Sequence, residues 1–103
     1  MPAYIVVDID VTDPVRYEEY KRIAADTVTA HGGRYIVRGG RCETLEGDWT
    51  PSRFVVLEFP DYASALACYR SPEYARAIEL RKGKANADII VLDGYDGPQP
   101  QDG

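Results

Sequence analysis

Alternation opens the chain. Over residues 3–11, Ile5, Val7, Ile9 and Val11 fall on one side and Tyr4, Val6, Asp8 and Asp10 on the other, which predicts a strand with one wholly apolar face. Thr12-Asp13-Pro14 stops it: Asp13 suits a helix N-cap, and Pro14 suits the first helical position, where no N–H is needed. The period then changes to helical. Tyr17, Tyr20, Ala24, Thr27, Val28 and His31 form one stripe over 14–31, with Arg16, Glu18, Glu19, Arg22 and Asp26 mostly away from it, and Gly32 supplies a left-handed C-terminal cap.

The stretch 32–60 reads as a long antiparallel hairpin around which the rest is organised. Tyr35, Ile36 and Val37 make the outgoing strand, residues 47–51 a polar tip, and Phe54, Val55, Val56 and Leu57 the return. The pair Gly39-Gly40 reads as a bulge that twists it. Asp61 then caps a second helix to about residue 70, with Tyr62, Ala65, Leu66 and Tyr69 inward, and Ser71-Pro72-Glu73 starts a third to about residue 82, closed by Gly83. A last strand over 87–93 has a continuous apolar centre, which predicts burial on both faces. The expected organisation is one domain over 1–95 and a flexible tail over 96–103.

The order strand, helix, strand, strand, helices, strand is the ferredoxin-like βαββαβ arrangement: an α+β fold with helices on one face of a four-stranded antiparallel sheet. The other face would then expose Tyr4, Val6, Phe54, Val56, Ile90 and Leu92, a large apolar patch of the kind that marks an interface or a groove. A homodimer packing two such sheets face to face covers it and encloses a shared pocket, with the sheet of one subunit against its partner.

Charge narrows the partners. With 12 basic against 17 acidic side chains among 103 residues, the net charge of -5 repels phosphate backbones and anionic surfaces, so neither nucleic acid nor membrane is expected as a partner. No apolar run approaches the roughly 18 residues of a membrane helix, and Met1-Pro2-Ala3 leads into a strand without a charged leader, which points to a cytoplasmic protein. Cys42 and Cys68 are far apart and lack a CxxC or His-rich context, so both are expected as reduced thiols, with no metal site. Residues 8–13 imitate the start of a calcium loop, but Asp13 stands where glycine is needed and Pro14 breaks the spacing. The glycine pairs make neither GxGxxG nor a phosphate loop, so no nucleotide cofactor is implied. With a single histidine, a His-rich metal or haem site lacks ligands, haem through His31 alone being the weak alternative to the expectation of no cofactor.

The segments His31-Gly32-Gly33-Arg34-Tyr35-Ile36-Val37-Arg38-Gly39-Gly40, Leu45-Glu46-Gly47-Asp48-Trp49, Val56-Leu57-Glu58-Phe59-Pro60 and Tyr69-Arg70-Ser71-Pro72-Glu73-Tyr74 closely resemble the small bacterial proteins known as domain of unknown function 1330. The resemblance covers nearly the whole chain. It implies a dimeric α/β barrel, in a superfamily whose other branches include cofactor-free quinone-forming monooxygenases, muconolactone isomerases and haem-degrading enzymes. The family itself carries no established reaction, and fold-level analogy does not supply one.

Candidate chemistry is sparse. By alternation Arg38 shares parity with Arg34 and Ile36, and Glu58 with Phe54 and Val56, so Arg38 and Glu58 are expected on one face. They read either as anchor and base for the carboxylate or enolate of a small substrate, or as a cross-strand ion pair. His31, the single histidine, is a candidate proton carrier, or a helix-end residue interacting with the C-terminal dipole. Trp49 at the hairpin tip is a lid over a partner's pocket or a pin for the turn. Tyr4, Tyr69 and Tyr74 are candidate ligand contacts, or core tyrosines with satisfied hydroxyls. Three functions remain open: a cofactor-free enzyme acting on a carbonyl-bearing or phenolic metabolite, a small-molecule-binding protein, and a purely structural dimer.

Overall fold

A computed structural model describes residues 1–101. The central element is β1 (Ala3–Val11), paired antiparallel on one side with β3 (Phe54–Phe59) and on the other with β4 (Ala85–Asp93), while β2 (Arg34–Arg38) pairs with β3 at the sheet edge. The order β2-β3-β1-β4 is that of the ferredoxin-like α+β fold. Three helices, α1 (Pro14–Ala30), α2 (Tyr62–Tyr69) and α3 (Pro72–Arg81), complete the chain.

The odd positions of β1 carry the core. Ala3, Ile5, Val7 and Ile9 are buried with Leu57 and Phe59 of β3 against Tyr17, Tyr20, Ala24 and Val28 of α1, Ala65 and Cys68 of α2, and Tyr74 and Ala77 of α3. A fully buried aliphatic or aromatic side chain stabilises by roughly 1.5–3 kcal/mol relative to exposure, so Phe59 and Ile9, at 1 % and 2 % exposure, rank among the heaviest single contributors.

The helix ends follow local chemistry. Asp13 accepts from the Arg16 N–H at 3.2 Å, Asp61 from Ser64 at 2.7 Å, and the Ser71 hydroxyl from Tyr74 at 3.2 Å. At the end of α1, Gly32 has φ +78° and the Gly33 N–H donates back to the Val28 carbonyl at 2.9 Å, while a Cβ on Gly33 would collide with the Phe59 ring and Val28. The helix therefore turns directly into β2.

Several expectations need correction. The inner face of α2 is Ala65 and Cys68; Tyr62 and Tyr69 lie at its exposed margin, because a helix of 8 residues seated on its small side chains turns the tyrosines outward. β4 alternates rather than being buried on both faces: Ile89 and Val91 pack on the core, whereas Ile90 is 57 % and Leu92 46 % exposed, since helices cover one side only. The bulge is not at Gly39-Gly40. Pairing steps from Tyr35↔Leu57 to Val37↔Val56, so the extra residue is Ile36, and Gly39, with φ +71°, turns the chain off the strand. The hairpin consequently ends early, and residues 39–53 form an irregular connection.

That connection is tied down by Asp8. Its carboxylate accepts from the Trp49 indole N–H at 3.2 Å and from the Ser52 and Arg53 amides at 3.0 and 3.4 Å. Beyond β4, the Gly94 N–H donates to the Pro2 carbonyl and the Tyr95 hydroxyl to the Pro98 carbonyl. The expected tail, 96–103, runs at its end into residues 102–103, which lie outside the described residues.

Candidate functional site

The bulge at Ile36 decides which groups meet. Before it, Arg34 lies opposite Glu58; after it, Arg38 lies opposite Val55, one step out of the simple alternation. Arg38 and Glu58 therefore occupy opposite faces of the sheet. Glu58 is engaged by Arg34 instead, Nε to Oε1 at 2.8 Å, an ion pair whose arginine is 71 % exposed. Arg38 joins Val55 and Leu57 on the helix-covered face and lays its guanidinium over the Tyr35 ring, 4.1 Å from the centroid.

A cleft of about 50 Å3 opens there, between α1 and the sheet. Successive turns of α1 supply Tyr17, Tyr20, Lys21, Ala24 and Val28; the sheet supplies Val7, Ile9, Tyr35, Arg38, Val55 and Leu57; Arg53 enters from the end of the irregular connection and Tyr74 from α3. The Arg53 side chain reaches the cleft across Gly39, where a Cβ would collide with the guanidinium. Lys21 is paired with Glu18 at 2.8 Å, whereas among the described residues Arg38 and Arg53 form no ion pair.

At the other side of the tyrosine wall, the Tyr20 and Tyr74 hydroxyls are 2.7 Å apart and Arg81 Nη1 donates to the Tyr20 oxygen at 3.3 Å. Burial, with Tyr20 adding to it, pushes Tyr17 up to about 12 despite the opposing charges of Arg53 and Arg81. Burial likewise raises Tyr74 and Tyr35, against Arg81 in the first case and Arg38 and Arg53 in the second. Burial works against the Arg81 charge, but the neighbouring tyrosine oxygens outweigh it and raise its pKa overall. The cleft joins a wall of tyrosine side chains to the cationic Arg38 and Arg53, an environment suited to an anion with an aromatic or otherwise apolar body.

The remaining sequence candidates disperse. Tyr4 lies on the open face between Glu58 and Leu92. Trp49 folds onto the same face of its own chain, edge-on to Phe54 with centroids 5.2 Å apart. Tyr69 packs at a tilt against Tyr74, ring centroids 5.2 Å apart, and borders a separate apolar groove of about 240 Å3 between α2 and β4, lined also by Leu66, Arg70 and Ile90. His31 caps α1, with Nδ1 2.9 Å from the Thr27 carbonyl oxygen, and takes no part in the cleft. Of the proposed set, Arg38 and Tyr74 alone line it. The sequence reading missed Tyr20, Arg53 and Arg81. Tyr74 and Arg81 stand seven residues apart in one helix, a spacing that returns to the same face and offers a usable signal; Arg53 carried none, because an irregular connection delivers it.

A four-stranded antiparallel sheet with helices on one face and a small tyrosine-lined cleft beneath them defines a ferredoxin-like scaffold. The chain belongs to the family described as domain of unknown function (DUF1330), whose profile matches residues 2–95. No curated protein matches it. Among solved structures it is similar to a protein of unknown function from Rhodopseudomonas palustris, at 18% identity and TM-score 0.73 over 93% of this chain and 84% of that one. It is also similar to SnoaB, a cofactor-independent oxygenase from Streptomyces nogalater, at 11% identity and TM-score 0.65 over 93% and 95% of the two chains. A third similar structure is a dimeric ferredoxin-like protein of unknown function from Jannaschia sp., at 16% identity and TM-score 0.64 over 91% and 100%. Among the described residues no helix is long and apolar enough to cross a membrane.

Proposed function

We propose that the protein is a homodimer that acts without a cofactor on a small phenolic or carbonyl-bearing acid held in the cleft between α1 and the sheet. The observation that carries this reading is the convergence of Arg38 and Arg53, neither in an ion pair among the described residues, on a buried wall of tyrosines. Guanidinium groups match a carboxylate or enolate with paired donors, and the adjacent rings take the apolar body. A space of about 50 Å3 receives the head of such a molecule; swinging Arg38 off Tyr35 and Arg53 off Gly39 admits its ring. The similarity in fold to a cofactor-independent oxygenase supports cofactor-free chemistry in this scaffold. The exposed apolar face, with Val6, Ile90 and Leu92, supports association of two copies, as does the dimeric Jannaschia protein.

Calorimetric titration with benzoate tests the cleft. Wild type binds it, and Arg38→Ala and Arg53→Ala each weaken it by about tenfold or more, the usual scale for losing a charge-assisted contact; binding unchanged in both folded variants refutes the assignment. A second reading, binding without turnover, is favoured by the absence of carboxylate and histidine among the described residues lining the cleft. Recovery of a co-purified ligand decides between them: an unchanged ligand after incubation in air supports binding, a converted one supports catalysis.

A further inference from the structure

The Tyr20 and Tyr74 hydroxyls pose a counting problem. Each carries one proton and two acceptor lone pairs. Tyr20 and Tyr74 are 6 % and 7 % exposed, their oxygens are bonded to each other at 2.7 Å, and Arg81 occupies a lone pair of Tyr20 from 3.3 Å. Whichever tyrosine donates within the pair, the other keeps a proton for which the described residues provide no acceptor. A buried O–H left in that state is costly, and here both rings line the cleft. The Arg81 guanidinium beside them forms no ion pair among the described residues. Its cation polarises the pair and makes the spare proton a stronger donor.

We propose that the Tyr20–Tyr74 hydroxyl pair, backed by Arg81, is the second recognition point of the cleft and takes an oxygen of the ligand at the end remote from Arg38 and Arg53. The cationic groups are distinct: the Arg38 guanidinium lies over the Tyr35 ring, 4.1 Å from its centroid, whereas the Arg81 guanidinium lies over the Tyr20 ring at 5.3 Å. The inference rests on the cleft reading above and sharpens it. The ligand class becomes a small acid that carries a further hydroxyl or carbonyl oxygen across its body, a hydroxy- or oxo-substituted carboxylate. An oxygen gaining charge at that end, as in an enolate or phenolate, receives the spare proton as a hydrogen bond and the field of Arg81.

The test compares 4-hydroxybenzoate with benzoate, which lacks the remote oxygen, by calorimetric titration. Wild type prefers 4-hydroxybenzoate by about tenfold, and the preference disappears in Tyr20→Phe and Tyr74→Phe and shrinks in Arg81→Gln, because each variant loses more affinity for 4-hydroxybenzoate than for benzoate. A merely structural role would weaken both probes together, so unequal loss is the diagnostic signature. If a phenylalanine variant does not fold, Arg81→Gln, at the half-buried end of α3, carries the comparison. A preference that persists in the folded variants, or wild type showing none, overturns the proposal. If benzoate depends on Arg38 and Arg53 yet the tyrosine variants keep the preference, the cleft reading stands and this inference falls; if neither probe binds wild type, both fall.

Discussion

The two faces of the sheet are built from the same strands and differ in everything else. On the covered face Ile5, Val7, Ile9, Leu57 and Phe59 are buried under helices, and the polar groups that reach it, Tyr20, Tyr74, Arg38 and Arg53, surround a small cleft. On the open face Val6, Ile90 and Leu92 stand beside Asp8, Asp88 and the Arg34–Glu58 pair, with Trp49 lying over Phe54. On the reading proposed above, one face holds a small molecule within a single chain and the other meets a second copy. The lesson is that a strand's two parities can carry separate tasks, and that a single bulge moves a charged residue from one task to the other.

The sharpest way to break this comparison is to damage each face once. Phe59→Ala, on the covered face, should cost about 3–5 kcal/mol in urea unfolding, because the ring is removed from a packed core. Ile90→Asp, on the open face, should leave the far-ultraviolet circular dichroism of the chain intact but convert a dimer to a monomer in light scattering. A dimer that survives Ile90→Asp at micromolar concentration removes the open face from the interface.

A smaller effect is expected at Asp8→Ala. Three donors, the Trp49 indole and the Ser52 and Arg53 amides, lose their acceptor, for about 1–3 kcal/mol. Trp49 fluorescence should shift as the indole leaves Phe54, and benzoate affinity should fall because the same connection carries Arg53 to the cleft. Unchanged fluorescence and affinity would separate the two faces completely.

The smallest expected effect is alkaline. Burial pushes Cys68 up from 9.0 to about 11 and is the main cause raising Tyr17 from 10.0 to about 12, so the native state retains protons that the unfolded chain releases. Stability from these groups is therefore complete below about pH 9 and declines as pH rises through 11 and 12, on the order of 1–2 kcal/mol per group. Cys68→Ala should remove the earlier part of that decline and Tyr17→Phe the later part. A urea midpoint that stays level across the window in wild type would contradict the burial of the covered face.

Much of this was legible beforehand because it depends on neighbours in the chain. The period-two pattern of β1, the caps Asp13, Asp61 and Ser71, and the glycine turn after α1 are local chemistry, and they suffice for the order of elements and the existence of an open apolar face. The site was less legible. Arg38 was singled out, but alternation assigned it to the face of Glu58, and nothing in the residue types announces that Ile36 is the extra residue of a bulge. Arg53 and Arg81 were not singled out.

By itself, then, the amino-acid sequence determined the strands, the helices, their caps and the ferredoxin-like order, since each follows from spacings of a few residues. The tertiary structure alone decided that Arg34 rather than Arg38 meets Glu58, that Arg53 crosses Gly39 into the cleft, and that Tyr20 meets Tyr74 across 54 positions of chain. Those pairings come from strand register and helix docking, which are settled by packing the whole core at once and leave no mark on any short stretch of residues.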